Sequence, residues 1–215
     1  MHYKLGLQAD SFRHPIKPPF QSDPELHRFS YRTTTAQVLF PTYAKGEDRV
    51  ECRVMIKIRE VQPEEASSIK RLINSVAYGI FGFAGSPEDS LRHHEAIGAY
   101  MDLDDIKRNY SENGGLFLVA LAGEEIIGCG ALRRLDDAAA ELRRMWLLER
   151  YHGQGIGYRL LTQLVSFARR KGYSRLRLQT SPEQTRALGF YRKAGFQEIP
   201  GYNQEAGEIS MELLL

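Results

Sequence analysis

Residues 152–158 are the part of the sequence whose residue types and spacing point most clearly to chemistry. They read His-Gly-Gln-Gly-Ile-Gly-Tyr and lie between a predicted strand and a predicted amphipathic helix. Closely spaced glycines let a backbone approach a ligand without obstruction by a Cβ atom. The free N–H groups and positive dipole end of a helix N-terminus favour phosphate. A tight strand-to-helix turn that binds nothing has the same pattern, so the loop alone leaves both interpretations open.

Two common phosphate-binding motifs do not fit this loop. A dinucleotide-binding fingerprint needs a third glycine three residues after the second, and the two positions where it would fall hold Tyr158 and Leu160. A nucleotide-triphosphate loop ends in Gly-Lys followed by Ser or Thr, whereas Gly157 is followed by Tyr158 and Arg159. Antiparallel strands are predicted before the loop, which also argues against a doubly wound parallel sheet.

A second motif follows in residues 187–196, which read Ala-Leu-Gly-Phe-Tyr-Arg-Lys-Ala-Gly-Phe. Together with residues 141–161, it resembles the GNAT superfamily of N-acetyltransferases. The earlier segment corresponds to the family's Arg/Gln-x-x-Gly-x-Gly/Ala loop and the strand before it, and the later one to a helix ending in Tyr-x-Lys-x-Gly-Phe. The resemblance implies an α/β (α+β) fold with a mixed, mainly antiparallel twisted sheet and helices on both faces. We therefore divide the chain into residues 1–50, an N-terminal arm with one extra strand, and residues 51–215, the acetyltransferase domain.

The resemblance also implies acetyl-CoA as the cosubstrate. Backbone amides of residues 153–158 would bind the pyrophosphate of coenzyme A, and residues 145–147 would pair with its pantetheine arm as a neighbouring strand does. The N–H of Leu147 would donate to the thioester carbonyl, a hydrogen bond that strengthens as the oxygen becomes anionic. His152 departs from the family's Arg or Gln, and a neutral imidazole offers one donor, so we expect backbone amides to carry most of the phosphate binding. The implied coenzyme-binding residues are Met145, Trp146, Leu147, His152, Gly153, Gln154, Gly155, Ile156, Gly157, Tyr158 and Gln184.

Acetyl transfer to an amine needs a base that takes the amine proton and an acid that meets the departing thiolate. By the resemblance, Tyr191 is the candidate acid, because the family's tyrosine at this place lies near the coenzyme sulfur. A phenol with a pKa of about 10 stays protonated at neutral pH. Glu141, on the strand before the loop, is the candidate base. Each also has a purely structural interpretation, Tyr191 as a core aromatic and Glu141 as a strand glutamate paired with Arg143.

Two further polar patterns have competing explanations. Gln184 lies seven residues before Tyr191, where many relatives place an asparagine that contacts the coenzyme. It also completes a capping-box pattern in residues 181–184, which read Ser-Pro-Glu-Gln and predict the start of a helix. His93-His94-Glu95 lacks the His-Glu-x-x-His spacing of a zinc site. We therefore expect a polar helix face there and no metal.

The rest of the sequence predicts the elements that must position these residues. A helix begins at Pro63 and is broken at Gly79 and Gly82, and its apolar stripe is formed by Ile69, Leu72, Ile73 and Val76. Residues 86–112 are predicted to be helical. The pattern of apolar residues and turn signals predicts two further helices, at 155–171 and from Ser181 to Gly195. It predicts strands at 29–40, 50–60, 116–122, 125–135, 138–147, 174–180, 196–201 and 208–213, with a hairpin turn in residues 43–48.

Composition and charge narrow the class of protein. Hydrophobic residues make up 42% and charged residues 26% of the 215 residues, as in globular chains. No apolar run reaches the roughly 18 to 20 residues that cross a bilayer. The net charge of +2 gives no reason to expect nucleic acid. Cys52 and Cys129 lie in separate predicted strands and predict reduced thiols. We expect a cytoplasmic protein without nucleic-acid or membrane partners, and a homodimer is left open.

Together these patterns predict an N-acetyltransferase that moves an acetyl group from acetyl-CoA to a primary amine by direct attack. The acceptor would be a small-molecule or peptide amine. Its site would be shaped by residues 77–113 and by the loop around Tyr202 and Asn203. These are the segments in which the fewest residues match a family motif. A noncatalytic acyl-CoA-binding or regulatory module that keeps the loop is the alternative.

Overall fold

A twisted sheet forms the centre of the protein. The computed structural model describes residues 33–39, 53–202 and 207–215. Within them the sheet has eight strands in the spatial order β1-β2-β3-β4-β5-β6-β8-β7. Only β5 and β6 are parallel neighbours, and the other neighbouring pairs are antiparallel. The strands are β1 (Thr33–Leu39), β2 (Arg53–Glu60), β3 (Leu116–Ala122), β4 (Glu125–Arg134), β5 (Ala139–Leu147), β6 (Arg175–Thr180), β7 (Gln197–Ile199) and β8 (Ile209–Leu214).

Helices cover both faces of this sheet, which confirms the predicted fold class. The helices are α1 (Ala66–Phe81), α2 (Pro87–Ala96), α3 (Met101–Asp104), α4 (Ile156–Lys171) and α5 (Thr185–Lys193). Buried side chains of α4 and α5 share one core with the even-numbered residues of β3, and those of α1 and α3 share a second core with its odd-numbered residues. Because both faces of β3 are buried, its sequence is continuously apolar rather than alternating.

The predicted elements are largely found, with differences at glycines and at the start of α5. Residues 86–112 form α2, α3 and a π-helical turn (Lys107–Ser111) instead of one helix, and the chain turns at Gly98, whose φ is 76°. α1 continues through Gly79 and ends at Gly82, because packing of its buried stripe offsets the roughly 1 kcal/mol that one internal glycine costs. The predicted hairpin is present as the antiparallel pair of β1 and β2. The turn predicted at residues 43–48, and Cys52, lie outside the described residues.

A β-bulge in β5 bends this strand beside β4. The register between the two strands shifts at Gly130, which lies opposite both Arg144 and Met145. Among the described residues, Arg144 is the only non-glycine residue with a positive φ, 56°. This conformation costs an L-residue roughly 1 to 2 kcal/mol, so other contacts must hold it. Bulges bend a strand and increase its local twist.

A buried ion pair holds the bulge in place. The guanidinium of Arg144 donates to the Asp102 carboxylate through Nε (3.0 Å) and through Nη2, and Nη2 also donates to the carbonyl of Ala99 (2.8 Å). The hydroxyl of Tyr110 donates to the same carboxylate. Both charged side chains are nearly buried, with 12% of Arg144 and 13% of Asp102 exposed. The thiol of Cys129 donates to the Arg144 carbonyl (3.0 Å), so the bulge is fixed through both its side chain and its backbone.

Past the level of Glu141, β5 and β6 separate. They pair over three residue pairs only, from Ala139 with Arg175 to Glu141 with Arg177. β6 continues along β8 up to Thr180, whereas β5 bends away at its bulge and keeps its pairing with β4. The second half of β5 therefore has one free edge inside the molecule.

We expect Asp102→Asn to lower the free energy of unfolding by about 3 to 5 kcal/mol at pH 7, because it leaves a buried guanidinium without its counter-ion. Burial opposes ionisation of this carboxyl, but the hydrogen bonds and charge of Arg144 outweigh it and hold the pKa of Asp102 below its ordinary value. The stabilisation is therefore full above the pKa of an unfolded aspartate, about 3.9, and is lost as pH falls through the lower folded value. Urea unfolding of both proteins between pH 7 and pH 3 measures the difference.

Glu198→Gln is the control for that experiment, because it removes a carboxylate from the exposed pair with Arg192, and such pairs contribute about 1 kcal/mol or less. A loss for Asp102→Asn no larger than that of the control, or one that stays constant down to pH 3, would contradict this role of the ion pair.

Candidate active site

A cavity of about 470 Å³ lies where β5 and β6 separate. The end of β5, the loop after it, the first turns of α4, and one side each of α5 and α1 form its wall. It brings together most of the residues that the sequence singled out. The predicted site residues in its wall are Met145, Trp146, Leu147, His152, Gly153, Gly155, Ile156, Gly157, Tyr158, Gln184 and Tyr191.

The end of β5 offers backbone groups to this cavity. The N–H of Leu148 donates to the carbonyl of Ile127 on β4 (2.9 Å). Because successive residues of an extended strand direct their N–H groups to opposite sides, the N–H of Leu147 points away from β4 and into the gap left by β6. The N–H of Met145, two residues earlier, points the same way. This free edge can pair with an extended ligand as a further strand would.

The loop after β5 brings an uncapped helix N-terminus to the same cavity. Gly153 and Gly155 have φ values of 77° and 74°, a region that glycine enters without steric cost. Gly155 is the N-cap of α4, and among the described residues no side chain caps this helix, so the N–H groups of Ile156 and Gly157 lack intrahelical partners. Apart from the adjacent residues, no atom of the described residues lies within 4 Å of where a Cβ on Gly153 or Gly155 would be. The open space, the free N–H groups and the helix dipole fit a phosphate or pyrophosphate group.

His152 is bound to the end of β5. Its Nε2 lies 3.0 Å from the carbonyl oxygen of Leu147. Because a carbonyl only accepts, Nε2 carries a proton in this contact. Its Nδ1 is buried and has no hydrogen-bond partner among the described residues. In a neutral His152, the single N–H donor is therefore used in the bond to Leu147. Phosphate binding is left to the backbone amides.

Tyr191 lies in the cavity wall with only 7% of its surface exposed. Its ring packs between Phe190 and Phe196, with centroid distances of 5.4 and 5.6 Å. Burial raises the pKa of its phenol above the ordinary value, so the hydroxyl is protonated at neutral pH and can donate. The side chain is therefore a core aromatic and a cavity residue at once.

The side-chain amide oxygen of Gln184 is used in hydrogen bonds within a turn. Its Oε1 accepts hydrogen bonds from the Thr180 hydroxyl (2.8 Å) and from the backbone N–H of Ser181 (3.2 Å). The predicted capping box is thus only half formed, because the Ser181 hydroxyl donates to Glu183 instead of accepting from the backbone. The helix begins at Thr185 rather than beside Ser181. Gln184 also forms part of the cavity wall.

Gln154 and Glu141 do not form part of the cavity wall. The Gln154 side chain donates back to the carbonyl of Arg150 (3.2 Å). Glu141 is 2% exposed and lies between the guanidinium groups of Arg133 (2.7 Å) and Arg143 (3.4 Å). The hydroxyl of Tyr202 donates to its other oxygen (3.1 Å). The pairing with Arg143 is the structural alternative that the sequence left open.

Three features of the site have no clear sequence signal. Arg144 and Asp102 shape β5, yet they are far apart in the chain and follow no recognisable motif. Val76 and Ile80 of α1 face the cavity, although the helical stripe predicted only core packing for Val76. Tyr202 was assigned to a loop near the acceptor, and its contact with Glu141 depends on the tertiary fold. Asn203 lies outside the described residues.

Within residues 33–39, 53–202 and 207–215, His, Cys, Asp and Glu side chains do not gather into a group of three that could hold a metal ion. No helix in these segments combines the length and apolar character needed to cross a bilayer.

Solved structures with a similar fold include acetyltransferases. The PaiA N-acetyltransferase of Thermoplasma acidophilum, solved in complex with coenzyme A, has a TM-score of 0.62 and 25% identity and covers 74% of this chain and 99% of its own. An acetyltransferase from Streptococcus agalactiae has a TM-score of 0.62 and 24% identity, covers 74% of this chain and 98% of its own, and shows the fold alone.

Curated relatives match over part of the chain. Human N-acetyltransferase 8B is 35% identical over 103 residues, which are 45% of each chain. The IAA acetyltransferase of Azospirillum brasilense is 36% identical over 83 residues, 38% of this chain and 54% of its own. The chain thus spans about half the length of the curated relatives it matches.

The sequence profile described as the acetyltransferase (GNAT) family matches residues 86–196, just over half of the 215 residues. This segment contains the bulged strand, the glycine loop, α4 and α5. The chain therefore belongs to the acetyltransferase (GNAT) family.

Proposed function

We propose that this chain is an acetyl-CoA-dependent N-acetyltransferase that acetylates a primary amine by direct attack. One observation carries the proposal: a free strand edge at Met145 and Leu147 and an uncapped helix N-terminus at Ile156 and Gly157 meet in one cavity. The first fits an extended amide-containing chain and the second fits a pyrophosphate. Coenzyme A carries both groups in one molecule.

The chain's own residues would divide the work of binding. The N–H groups of Ile156 and Gly157 would hold the pyrophosphate, and the edge of β5 would align the pantetheine arm. Gln184, in the cavity wall, is our candidate for a side-chain contact with the coenzyme. When bound, acetyl-CoA supplies an acetyl group activated as a thioester. The N–H of Leu147 would donate to its carbonyl oxygen, where negative charge develops during the reaction.

Proton transfer would then complete the chemistry. As the amine nitrogen bonds to the acetyl carbon and the carbon–sulfur bond breaks, the amine loses a proton and the sulfur gains one. The buried, protonated Tyr191 hydroxyl is our candidate donor to the sulfur. Glu141 is our candidate for the final proton acceptor. Because Glu141 does not form part of the cavity wall, the proton would reach it through water or along the Tyr202 hydroxyl, which already bonds to its carboxylate.

The coenzyme site is tested by two matched glycine variants at opposite ends of α4. Gly155 and Gly172 both cap this helix with positive φ, 74° and 86°. In the described part of the chain, neither has a non-adjacent residue within 4 Å of its Cβ position. We expect Gly155→Glu to abolish acetyl-CoA binding in calorimetry, because it places a carboxylate beside the phosphate-binding amides. Gly172→Glu suffers a comparable backbone strain of roughly 1 to 2 kcal/mol and should bind as the wild type does. Absence of saturable binding by the folded wild-type protein would refute the proposal.

The acid and base are tested by Tyr191→Phe and Glu141→Gln in an assay of acetyl transfer to a panel of amines. We expect each to lower kcat by about 100-fold or more with little change in acetyl-CoA affinity. Tyr151→Phe, another buried tyrosine in the cavity wall, is the control. Wild-type rates in Tyr191→Phe would rule out its role as the acid. Coenzyme binding by the wild type without transfer to any amine would instead favour a noncatalytic acyl-CoA-binding module.

A further inference from the structure

A charged surface adjoins the cavity on the face of the sheet that carries α1. We call it the arginine surface and define it by Arg133, Arg143 and Arg177 around the buried carboxylate of Glu141. Arg133 of β4 and Arg177 of β6 are the strand neighbours of Glu141 on either side. Arg143 follows two residues later on β5, so its side chain lies on the same face. Their exposed fractions of 34%, 29% and 26% show that ligands can reach all three arginines.

This surface is continuous with the part of the cavity that faces α1. Arg143 pairs with Ala131 and Trp146 pairs with Cys129, and both partners lie in the core on the α1 side. Trp146 itself is in the cavity wall beside Val76 and Ile80 of α1. Two residues of a strand span about 7 Å. The distance from Arg143 to the free backbone groups at Met145 is therefore within the reach of an arginine side chain and one small molecule.

Among the three arginines, Arg143 has the weakest attachment to the protein. Arg133 bonds to Glu141 at 2.7 Å. Arg177 bonds to Glu212 at 2.8 Å and lies 5.5 Å from the centre of the Tyr202 ring. Among the described residues, Arg143 makes one long hydrogen bond, to Glu141 at 3.4 Å, whereas a guanidinium has five N–H donors.

The carboxylates near Arg143 are already engaged by other groups. Glu141 accepts from Arg133 and Tyr202, and Asp102 accepts from Arg144 and Tyr110. The bonds from Arg133 (2.7 Å) and Tyr202 (3.1 Å) to Glu141 are both shorter than the 3.4 Å contact of Arg143. A partly buried guanidinium beside a cavity, with donors that no described residue uses, is suited to a carboxylate, which it binds with two parallel hydrogen bonds.

We propose that the acceptor amine carries a carboxylate, as an α-amino acid does, and that Arg143 binds this carboxylate. The inference rests on the proposed function. With its carboxylate on Arg143, the acceptor points its amine along β5 towards Met145 and Leu147. The ring of Tyr202, which contacts Arg177 and Glu141, would form one wall of this acceptor site. Arg143 is therefore the residue that determines specificity for an acidic acceptor.

The test compares α-amino acids with their α-amides as acceptors, at saturating acetyl-CoA. The amide has a less basic amine, so more of it is neutral at pH 7 and its intrinsic reactivity is higher; a preference for the acid must come from binding. We expect the wild type to favour the acid in kcat/KM by about 10- to 100-fold, the value of a hydrogen bond to a charged group. Arg143→Gln should erase this preference by lowering kcat/KM for the acid about 10- to 100-fold more than for the amide, and Arg143→Lys should restore part of it.

Arg175→Gln is the matched control, because Arg175 lies on the same face of β6 at the end remote from the cavity and approaches Glu212 at only 3.9 Å. It should keep the preference for the acid. Equal turnover of acid and amide by the wild type, or an equal loss for both in Arg143→Gln, would overturn the inference and leave the proposed function standing. Failure of the wild type to bind acetyl-CoA would overturn the proposed function itself.

Discussion

The ion pair between Arg144 and Asp102 is the contact on which the geometry of the site depends. It holds a non-glycine residue at a φ of 56°, and the resulting bulge bends β5 while its pairing with β4 continues on either side. Hydrogen bonds from Tyr110 and to Ala99 complete the network. Without this bend, β5 would run on beside β6 as a parallel neighbour, and the backbone groups at Met145 and Leu147 would be used within the sheet. The ion pair and hydrogen bonds of this network thus keep one edge of β5 unpaired inside a folded domain.

The two halves of the proposed reaction site have different origins in the chain. The coenzyme half is local, because the strand end, the loop and the start of α4 follow one another from Met145 to Tyr158. The acceptor half is assembled from α1, β5, β6 and the residue Tyr202 before β8, which only the folded sheet brings together. His152 links strand and loop within the coenzyme half through its bond to Leu147. Arg143 stands at the boundary between the halves.

The same distinction between local and long-range contacts explains which features could be predicted from the sequence. Glycines at fixed offsets and an amphipathic helix are local signals, so the loop, α4 and the succession of elements along the chain were predictable from the residues and the family resemblance. The hydrogen-bond partners of Glu141 could not be predicted, because Arg133 and Tyr202 reach it from another strand and from a loop. The bulge could not be predicted either, because the residue type of Arg144 is as compatible with a regular strand as that of its neighbour Arg143. Residues 86–112 were predicted as one helix because the weak periodicity there did not reveal the turn at Gly98.

Residue-resolved amide hydrogen exchange with and without acetyl-CoA tests most directly whether the open edge of β5 is the binding element. The N–H groups of Met145 and Leu147 should exchange rapidly in the free protein and become protected with saturating coenzyme. The N–H of Trp146, directed towards β4 by the alternation of the strand, should be protected in both states. Slow exchange at Met145 and Leu147 before coenzyme is added, or no change when it binds, would contradict this account.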